Sequence, residues 1–394
     1  MEYRINPNNG DKLSALGFGC MRFTRGLNLK VDVAKAEPLV LSAIEGGVNY
    51  FDTAYIYFGS EEALGEILHR NDVRDKIFLA TKLPYQQCKG YEDFGRLFQT
   101  QLERLKTTYF DYYLIHNISD LSAWDVLRGL GIERWIEEQK AEGRIRQIGF
   151  SFHGPQNSFF DLLDAYPWDF CQIQYNYLNE HYQAGRAGLQ RAGEKGIPVV
   201  VMEPLLGGKL AAGLPKKAAR LFRDADSGRS PAAWALRWLW DQPEVTVVLS
   251  GMNAAPQLED NLLAAGSAAP GVVTEAEAAV YAAVKSVYQE TDKLPCTGCN
   301  YCMPCPNQVN IPGCFAAYNT SYAAGYGAGI QQYITGTGAN RPDKGHTGRK
   351  CVKCGACEER CPQRIGIMAA LETVTRRMEP PGFGAVMSLV SKFT

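Results

Sequence analysis

The chain is poor in net charge and in long apolar runs. Lys and Arg total 41 against 42 Asp and Glu, a formal charge of −1 at pH 7, which excludes a broad basic footprint for nucleic acid. No run approaches the roughly 18 apolar residues that a spanning helix needs, so no membrane association is expected. The opening Met1-Glu2-Tyr3-Arg4 leads into no apolar segment of the kind a secretory signal carries, and the expected compartment is the cytoplasm. The rest of the composition is globular. Its 394 residues, 46% hydrophobic and 21% charged, suit one large domain plus one small one with ample core.

Cysteine is used unevenly. Nine of the 12 lie at or beyond position 296. Without a secretion signal, that density speaks for thiolate–metal bonding and against disulfides. It also divides the chain into a cysteine-poor and a cysteine-rich part.

In the cysteine-poor part, short apolar runs alternate with helical periodicity. Runs at 15–19, 48–51, 77–80, 111–115, 146–150, 170–174, 198–202 and 245–249 read as strands. Helical stretches at 35–45, 60–69, 94–105, 132–141, 157–165, 183–194 and 254–264 follow most of them, with 215–222 and 231–240 between the last two strands. Strands this continuously apolar suit a parallel sheet covered on both faces. Such units repeated over about 250 residues match the size of an α/β, (β/α)8 TIM barrel. A doubly wound sheet is the competitor. It calls for G-x-G-x-x-G after the first strand, but Gly17-Phe18-Gly19-Cys20-Met21-Arg22 lacks the third glycine and opens no helix.

Chemistry in such a barrel sits at the C-terminal ends of the strands. There the second strand runs into Asp52-Thr53-Ala54-Tyr55-Ile56-Tyr57, the third into Thr81-Lys82 and the fourth into His116. Any one of these alone reads as a solvated lysine or a structural histidine. Together, at the same end of consecutive strands, they read as a site. The chemistry they suggest is acid-assisted hydride transfer. A tyrosine hydroxyl, with an ordinary pKa near ~10, is too weak an acid at neutral pH without a cation beside it. Lys82 can be that cation and Asp52 its buried partner. His116 can orient a substrate oxygen or share the proton, and a nicotinamide would bring the hydride.

These residues resemble those of the aldo-keto reductases. G-V-N-Y-F-D-T-A-Y-I-Y followed by Gly59-Ser60-Glu61 looks like that family's Asp-to-Tyr signature. A-T-K at 80–82 and L-I-H at 114–116 look like its Lys and His signatures. The resemblance spans 1–290 and implies reduction of a small-molecule aldehyde or ketone with NADPH or NADH by a tetrad of Asp52, Tyr57, Lys82 and His116. Tyr57 stands as far past the aspartate as the family's proton donor does, and is implied in that role; Tyr55 is read as wall packing.

The resemblance extends to the cofactor. Ser151 in Gly149-Phe150-Ser151, and Gln172 in Q-I-Q-Y-N, resemble residues that hold the nicotinamide amide, although Phe152 and then His153 stand where the family commonly has Asn. Met202 stands where an aromatic often stacks on the nicotinamide, ahead of Pro204 and Leu205. Lys209, in Gly207-Gly208-Lys209, is implied at the pyrophosphate, and Gly251, Gln257, Asp260 and Asn261 at the adenosine end. Family members that prefer NADPH place Lys and Arg where Gly251 and Gln257 stand. A weakened NADPH preference is the implied result.

The cysteine-rich part carries Cys296-x2-Cys299-x2-Cys302-x2-Cys305-Pro306 and Cys351-x2-Cys354-x2-Cys357-x3-Cys361-Pro362. The second has the spacing of a bacterial two-cluster ferredoxin, and the first is one residue short in its last gap. In that pattern the Cys before Pro reaches the other cluster. Cys296, Cys299, Cys302 and Cys361 would then hold one 4Fe-4S cluster, and Cys351, Cys354, Cys357 and Cys305 the other. Four-thiolate zinc is the alternative. Cys20, Cys88, Cys171 and Cys314 lie outside the pattern and read as core or loop thiols.

The whole chain thus resembles aldo-keto reductases fused to a small C-terminal, mainly helical ferredoxin-type domain. The expected division is a barrel at 1–290, an iron–sulfur domain at 291–379 and a tail at 380–394 that docks or frays. Segment 313–350 reads as helix plus loop, and 366–378 as helix. A nicotinamide delivers two electrons as hydride, a cubane accepts one, and no flavin signature bridges the two modes. One reading is a carbonyl reductase whose clusters are structural or serve a redox protein partner. The other is an iron–sulfur electron-transfer protein whose barrel is a nucleotide-binding or docking scaffold.

Overall fold

The computed structural model of the chain describes residues 1–26, 30–291, 293–323, 325–339, 345–384 and 387. A hairpin of β1 (Tyr3–Ile5) and β2 (Lys12–Ser14) precedes the parallel strands β3 (Leu16–Gly19), β4 (Tyr50–Asp52), β5 (Phe78–Leu83), β6 (Phe110–Ile118), β7 (Ile145–Phe152), β8 (Phe170–Gln174), β9 (Val199–Met202) and β10 (Val245–Ser250). Each of β3 to β10 pairs with its neighbour in sequence, and β10 closes on β3, so the sheet is a closed barrel. This is the α/β TIM barrel expected from the alternation of apolar runs and helices, not a doubly wound sheet. Every expected strand is present, with ends within three residues of the sequence reading. The hairpin and the helix Leu121–Gly129 are additions.

The barrel interior is filled by aliphatic side chains around three rings. Tyr50, Ala80, Tyr112, Leu114, Phe170, Val200 and Val247 form one buried cluster. Tyr112 meets Tyr50 edge-on at 5.2 Å and Phe170 at 5.0 Å between ring centroids. Gly149 makes room for this, because a Cβ there would lie 2.7 Å from the Phe170 ring. Arg4, from the hairpin, donates to the carbonyls of Gln242 at 2.8 Å, Val245 and Trp240, which ties the hairpin to the start of β10.

The chain divides into two compact units, 1–205 with 232–273 and 206–231 with 274–394. The first holds the barrel strands. In the second, the helices Lys216–Ala225 and Glu275–Thr291 pack on each other, with the Phe222 and Tyr281 rings 6.1 Å apart. Segments 206–231 and 274–290, placed within 1–290 on sequence, therefore group with the cysteine-rich region. The helices Ile311–Ala323, Tyr326–Thr337 and Ile367–Met378 build a core around Phe315, Tyr333, Leu371 and Val374, against which six of the eight motif cysteines pack, Cys299 and Cys354 not among them. Phe383 of the tail joins it, 6.4 Å from the Tyr333 ring. Apart from Met387, the tail beyond 384 lies outside the described residues. Among the described residues no helix is long and apolar enough to cross a membrane.

Candidate active site and metal centre

Strand periodicity builds the site one layer above the core. Residues two apart on a strand share a face. Tyr50, Ala80, Leu114, Phe170 and Val200 face the barrel interior. Two positions further toward the C-terminal rim stand Asp52, Lys82, His116, Gln172 and Met202. The fold therefore gathers residues from distant strands without any of them leaving regular structure.

At the centre lies a buried ion pair. Lys82 Nζ donates to Asp52 Oδ1 at 2.5 Å and to the Thr53 carbonyl at 2.7 Å. Lys82 is 1% exposed and Asp52 3%. Burial lowers the Lys82 pKa, and the adjacent carboxylate opposes that shift. Gln172 Nε2 donates to the other Asp52 oxygen at 3.0 Å, so both carboxylate oxygens are engaged. The Lys82 ammonium stands 5.1 Å from the centroid of the Tyr57 ring, which meets the His116 imidazole edge-on at 5.9 Å. Burial, then Lys82, then His153 hold the His116 pKa well below the usual histidine value, so its ring is neutral at pH 7. All four tetrad residues come together. Tyr55 does not join them, because its ring stacks under the Arg104 guanidinium at 4.3 Å.

A second ring of polar residues fixes this layer from behind. Gln101 Nε2 donates to the Lys82 carbonyl at 3.0 Å and to Glu61 at 2.7 Å. Thr81 also donates to Glu61, at 2.7 Å, and Tyr113 donates to the Gln101 side-chain oxygen at 2.7 Å. Glu61 lies on the helix Ser60–Arg70, whose N-cap Gly59 adopts φ +73°. The Asp-to-Tyr segment and the lysine strand are thereby tied to one helix.

The residues expected around the cofactor fall in varied settings. Ser151 is buried and its hydroxyl accepts from the Asn117 N–H at 2.8 Å, just past His116. Met202 packs on the barrel core, Pro204 is buried and Leu205 is half-buried. Gly251 and Gln257 are exposed, and the Gln257 side chain accepts from the Asn253 N–H at 2.9 Å. Asn261 is buried and turns its amide to Ser250 Oγ at 2.8 Å, while Asp260 is half-buried. A Cβ on Gly251 would lie 2.9 Å from Arg22 Cγ. Lys209 belongs to the other unit, where its carbonyl accepts from the Tyr288 hydroxyl at 3.3 Å. Phe152 is fully buried against Phe159.

Sequence reasoning missed His153 as a member of the site. It is 8% exposed, shares a hydrogen bond with Gln183 at 3.2 Å, and lies close enough to His116 to add to the lowering of its pKa. The available signal was its place two residues past Ser151, just beyond the end of β7 and in phase with its inward face.

In the second unit the motif cysteines line two cavities. One, of about 310 Å3, is walled by Cys305, Cys351, Cys354 and Cys357. The other is walled by Cys296, Cys299 and Cys361, and Cys302 lines both. The Cys before each Pro therefore faces the cavity of the other motif. Burial, then Cys299, Cys296 and Cys361, push the Cys302 thiol up to about 12. Crowded thiols of this kind keep their protons unless a cation draws them off. Among the described residues, no three His, Cys, Asp or Glu side chains converge on a point that could hold a single metal ion. Of the remaining cysteines, Cys20, Cys171 and Cys314 are buried and Cys88 is half-buried.

A buried Lys–Asp pair with Tyr and His at the C-terminal rim of a parallel barrel defines an oxidoreductase of the barrel class. Residues 15–268 match the model of the aldo/keto reductase family, and the chain belongs to that family. Residues 295–365 match the model of a 4Fe-4S dicluster domain. Similar proteins include an aldo-keto reductase of Mycolicibacterium vanbaalenii, 31% identical over 264 residues, which cover 66% of this chain and 84% of that one. L-galactose dehydrogenase of Arabidopsis thaliana is 28% identical over 291 residues, 67% of this chain and 88% of that one. The holo form of an aldo-keto reductase from Bacillus halodurans superposes with a TM-score of 0.59 at 26% identity, covering 72% of this chain and 96% of that one.

Proposed function

We propose that the chain reduces an aldehyde or ketone with NADPH or NADH, Tyr57 being the proton donor, and that it carries two 4Fe-4S clusters. The observation that carries the first half is the buried Lys82–Asp52 pair held at 2.5 Å against the Tyr57 ring. Lys82 makes the Tyr57 hydroxyl a better acid by stabilising the phenolate it leaves. Neutral His116 orients the substrate oxygen by hydrogen bonding and does not compete as an acid. Asp52 keeps Lys82 charged in a dry setting.

The residues fit a dinucleotide. Asp52 fixes the Gln172 side chain by accepting from its N–H, which leaves the amide oxygen to accept from a carboxamide N–H. Ser151, Met202, Pro204, Leu205, Gly251, Gln257, Asp260 and Asn261 would complete the cradle. When bound, the reduced nicotinamide supplies the hydride. The name of the Arabidopsis relative makes sugar-derived carbonyls the first substrates to assay.

The thiols fit clusters in the exchanged pattern, Cys296, Cys299, Cys302 and Cys361 for one and Cys351, Cys354, Cys357 and Cys305 for the other. Clusters so held supply one-electron chemistry or cross-link the helices around them. Exposed Cys354 favours exchange with a redox protein partner. The decisive experiment is Tyr57→Phe, assayed for aldehyde-dependent NADPH or NADH oxidation with the clusters intact. Turnover should be lost, and unchanged turnover removes the acid role. Rapid bleaching of the cluster absorbance by NADH alone would favour the electron-transfer reading instead.

A further inference from the structure

Thr297 lies inside the first motif, between Cys296 and Cys299. It is 8% exposed, and its Oγ1 is buried with no hydrogen-bond partner among the described residues, sulfur included. The same residue lines the cavity shared by Cys296, Cys299, Cys302 and Cys361. Buried polar groups in native chains are almost always paired, and leaving one unpaired costs as much as a lost hydrogen bond. A hydroxyl so placed calls for an acceptor that the described residues do not supply. Ile311, Phe315, Ile365 and Ile367 make much of the surrounding wall apolar, which strengthens any hydrogen bond formed there.

We propose that the Thr297 hydroxyl donates to a sulfur of the cluster held by Cys296, Cys299, Cys302 and Cys361, and so raises the reduction potential of that cluster. The inference rests on the two-cluster reading above. One-electron reduction places extra negative charge on the cluster sulfurs. A fixed donor stabilises the reduced form more than the oxidised one, and hydrogen bonds to sulfur are among the levers that set these potentials. The wall around Cys305, Cys351, Cys354 and Cys357 contains no orphaned buried hydroxyl among the described residues. The effect therefore falls on one cluster only. Thr297 is a positioning and tuning residue, not a cluster ligand.

The test is an anaerobic redox titration of the full-length, cluster-loaded chain, followed by electron paramagnetic resonance. Iron and acid-labile sulfide are measured first. A wild-type chain that cannot be loaded with two four-iron clusters overturns the two-cluster reading, and this inference with it. With both clusters present, Thr297→Val should lower one midpoint and leave the other unmoved. The lowered step should be the one that Cys361→Ser alters and Cys305→Ser does not. Thr297→Ser, which keeps the hydroxyl, should titrate like wild type. If Thr297→Val does not load fully, Thr297→Ala is read in the same way. Two unmoved midpoints in a loaded hydroxyl-free variant overturn the proposal, as does an equal shift in Thr297→Ser.

Discussion

Lys82→Met separates what the buried ion pair does for stability from what it does for chemistry. Removing the ammonium leaves the Asp52 carboxylate 3% exposed with the Gln172 amide as its remaining side-chain donor. An uncompensated buried charge of this kind costs about 3–5 kcal/mol of stability. The chemical loss is separate. A unit charge about 5 Å from a phenolate, at an effective dielectric constant near ~20, stabilises it by roughly 3 kcal/mol. Losing that stabilisation lowers turnover by up to roughly a hundredfold. The double variant Asp52→Asn with Lys82→Met removes the stranded charge. It should recover most of the stability while turnover stays low. Thermal midpoints and kcat for aldehyde reduction, measured on wild type, both single variants and the double, resolve the two effects. A folded Lys82→Met enzyme within threefold of wild-type kcat refutes the reasoning, and so does a double variant that regains turnover.

Three other outcomes follow from the same geometry. Cys361→Ser should disturb the cluster shared with Cys296, Cys299 and Cys302, while Cys305→Ser should disturb the other; paramagnetic resonance spectra showing each serine acting on its own motif would reverse the assignment. His116 is neutral in the fold because burial depresses its pKa, whereas the unfolded chain takes up a proton below about pH 6.5. Its contribution to stability is therefore present above that pH and lost as pH falls, by up to about 1.4 kcal/mol per pH unit. His116→Gln should flatten urea midpoints between pH 5 and 7 (both values about the unfolded pKa), and an unaltered slope would count against a neutral buried imidazole. With Gly251 and Gln257 where a cationic fork would grip a 2′-phosphate, NADPH and NADH should bind within roughly tenfold of each other by fluorescence titration. Much tighter NADPH binding would refute this and direct attention to Arg22, whose stem lies against Gly251.

The barrel was legible because its strands are buried on both faces, which writes them as short apolar blocks. Val199–Met202 and Val245–Ser250 are nearly unbroken examples. The same blocks locate the site, since their last inward residues are the polar ones. Periodicity reports which face a residue takes and not what it touches. Gln172 illustrates this: its phase put it at the rim, yet its partner Asp52 lies 120 residues away. His153 had the right phase and went unassigned for the same reason. The hairpin was hidden because Tyr3–Ile5 is half-exposed and carries no apolar block. The grouping of 206–231 with the cysteine-rich region depends on which helix Phe222 packs against, here Glu275–Thr291, and no local pattern encodes that choice. Cysteine spacing, by contrast, carried tertiary information. In the two-cluster ferredoxin pattern the cysteine before proline reaches the other motif, and Cys305 and Cys361 each line the cavity of the other motif. Metal-ligand spacing is thus more informative than hydrophobic pattern about long-range neighbours, because bond lengths to a common cofactor restrict the geometry far more tightly than burial does.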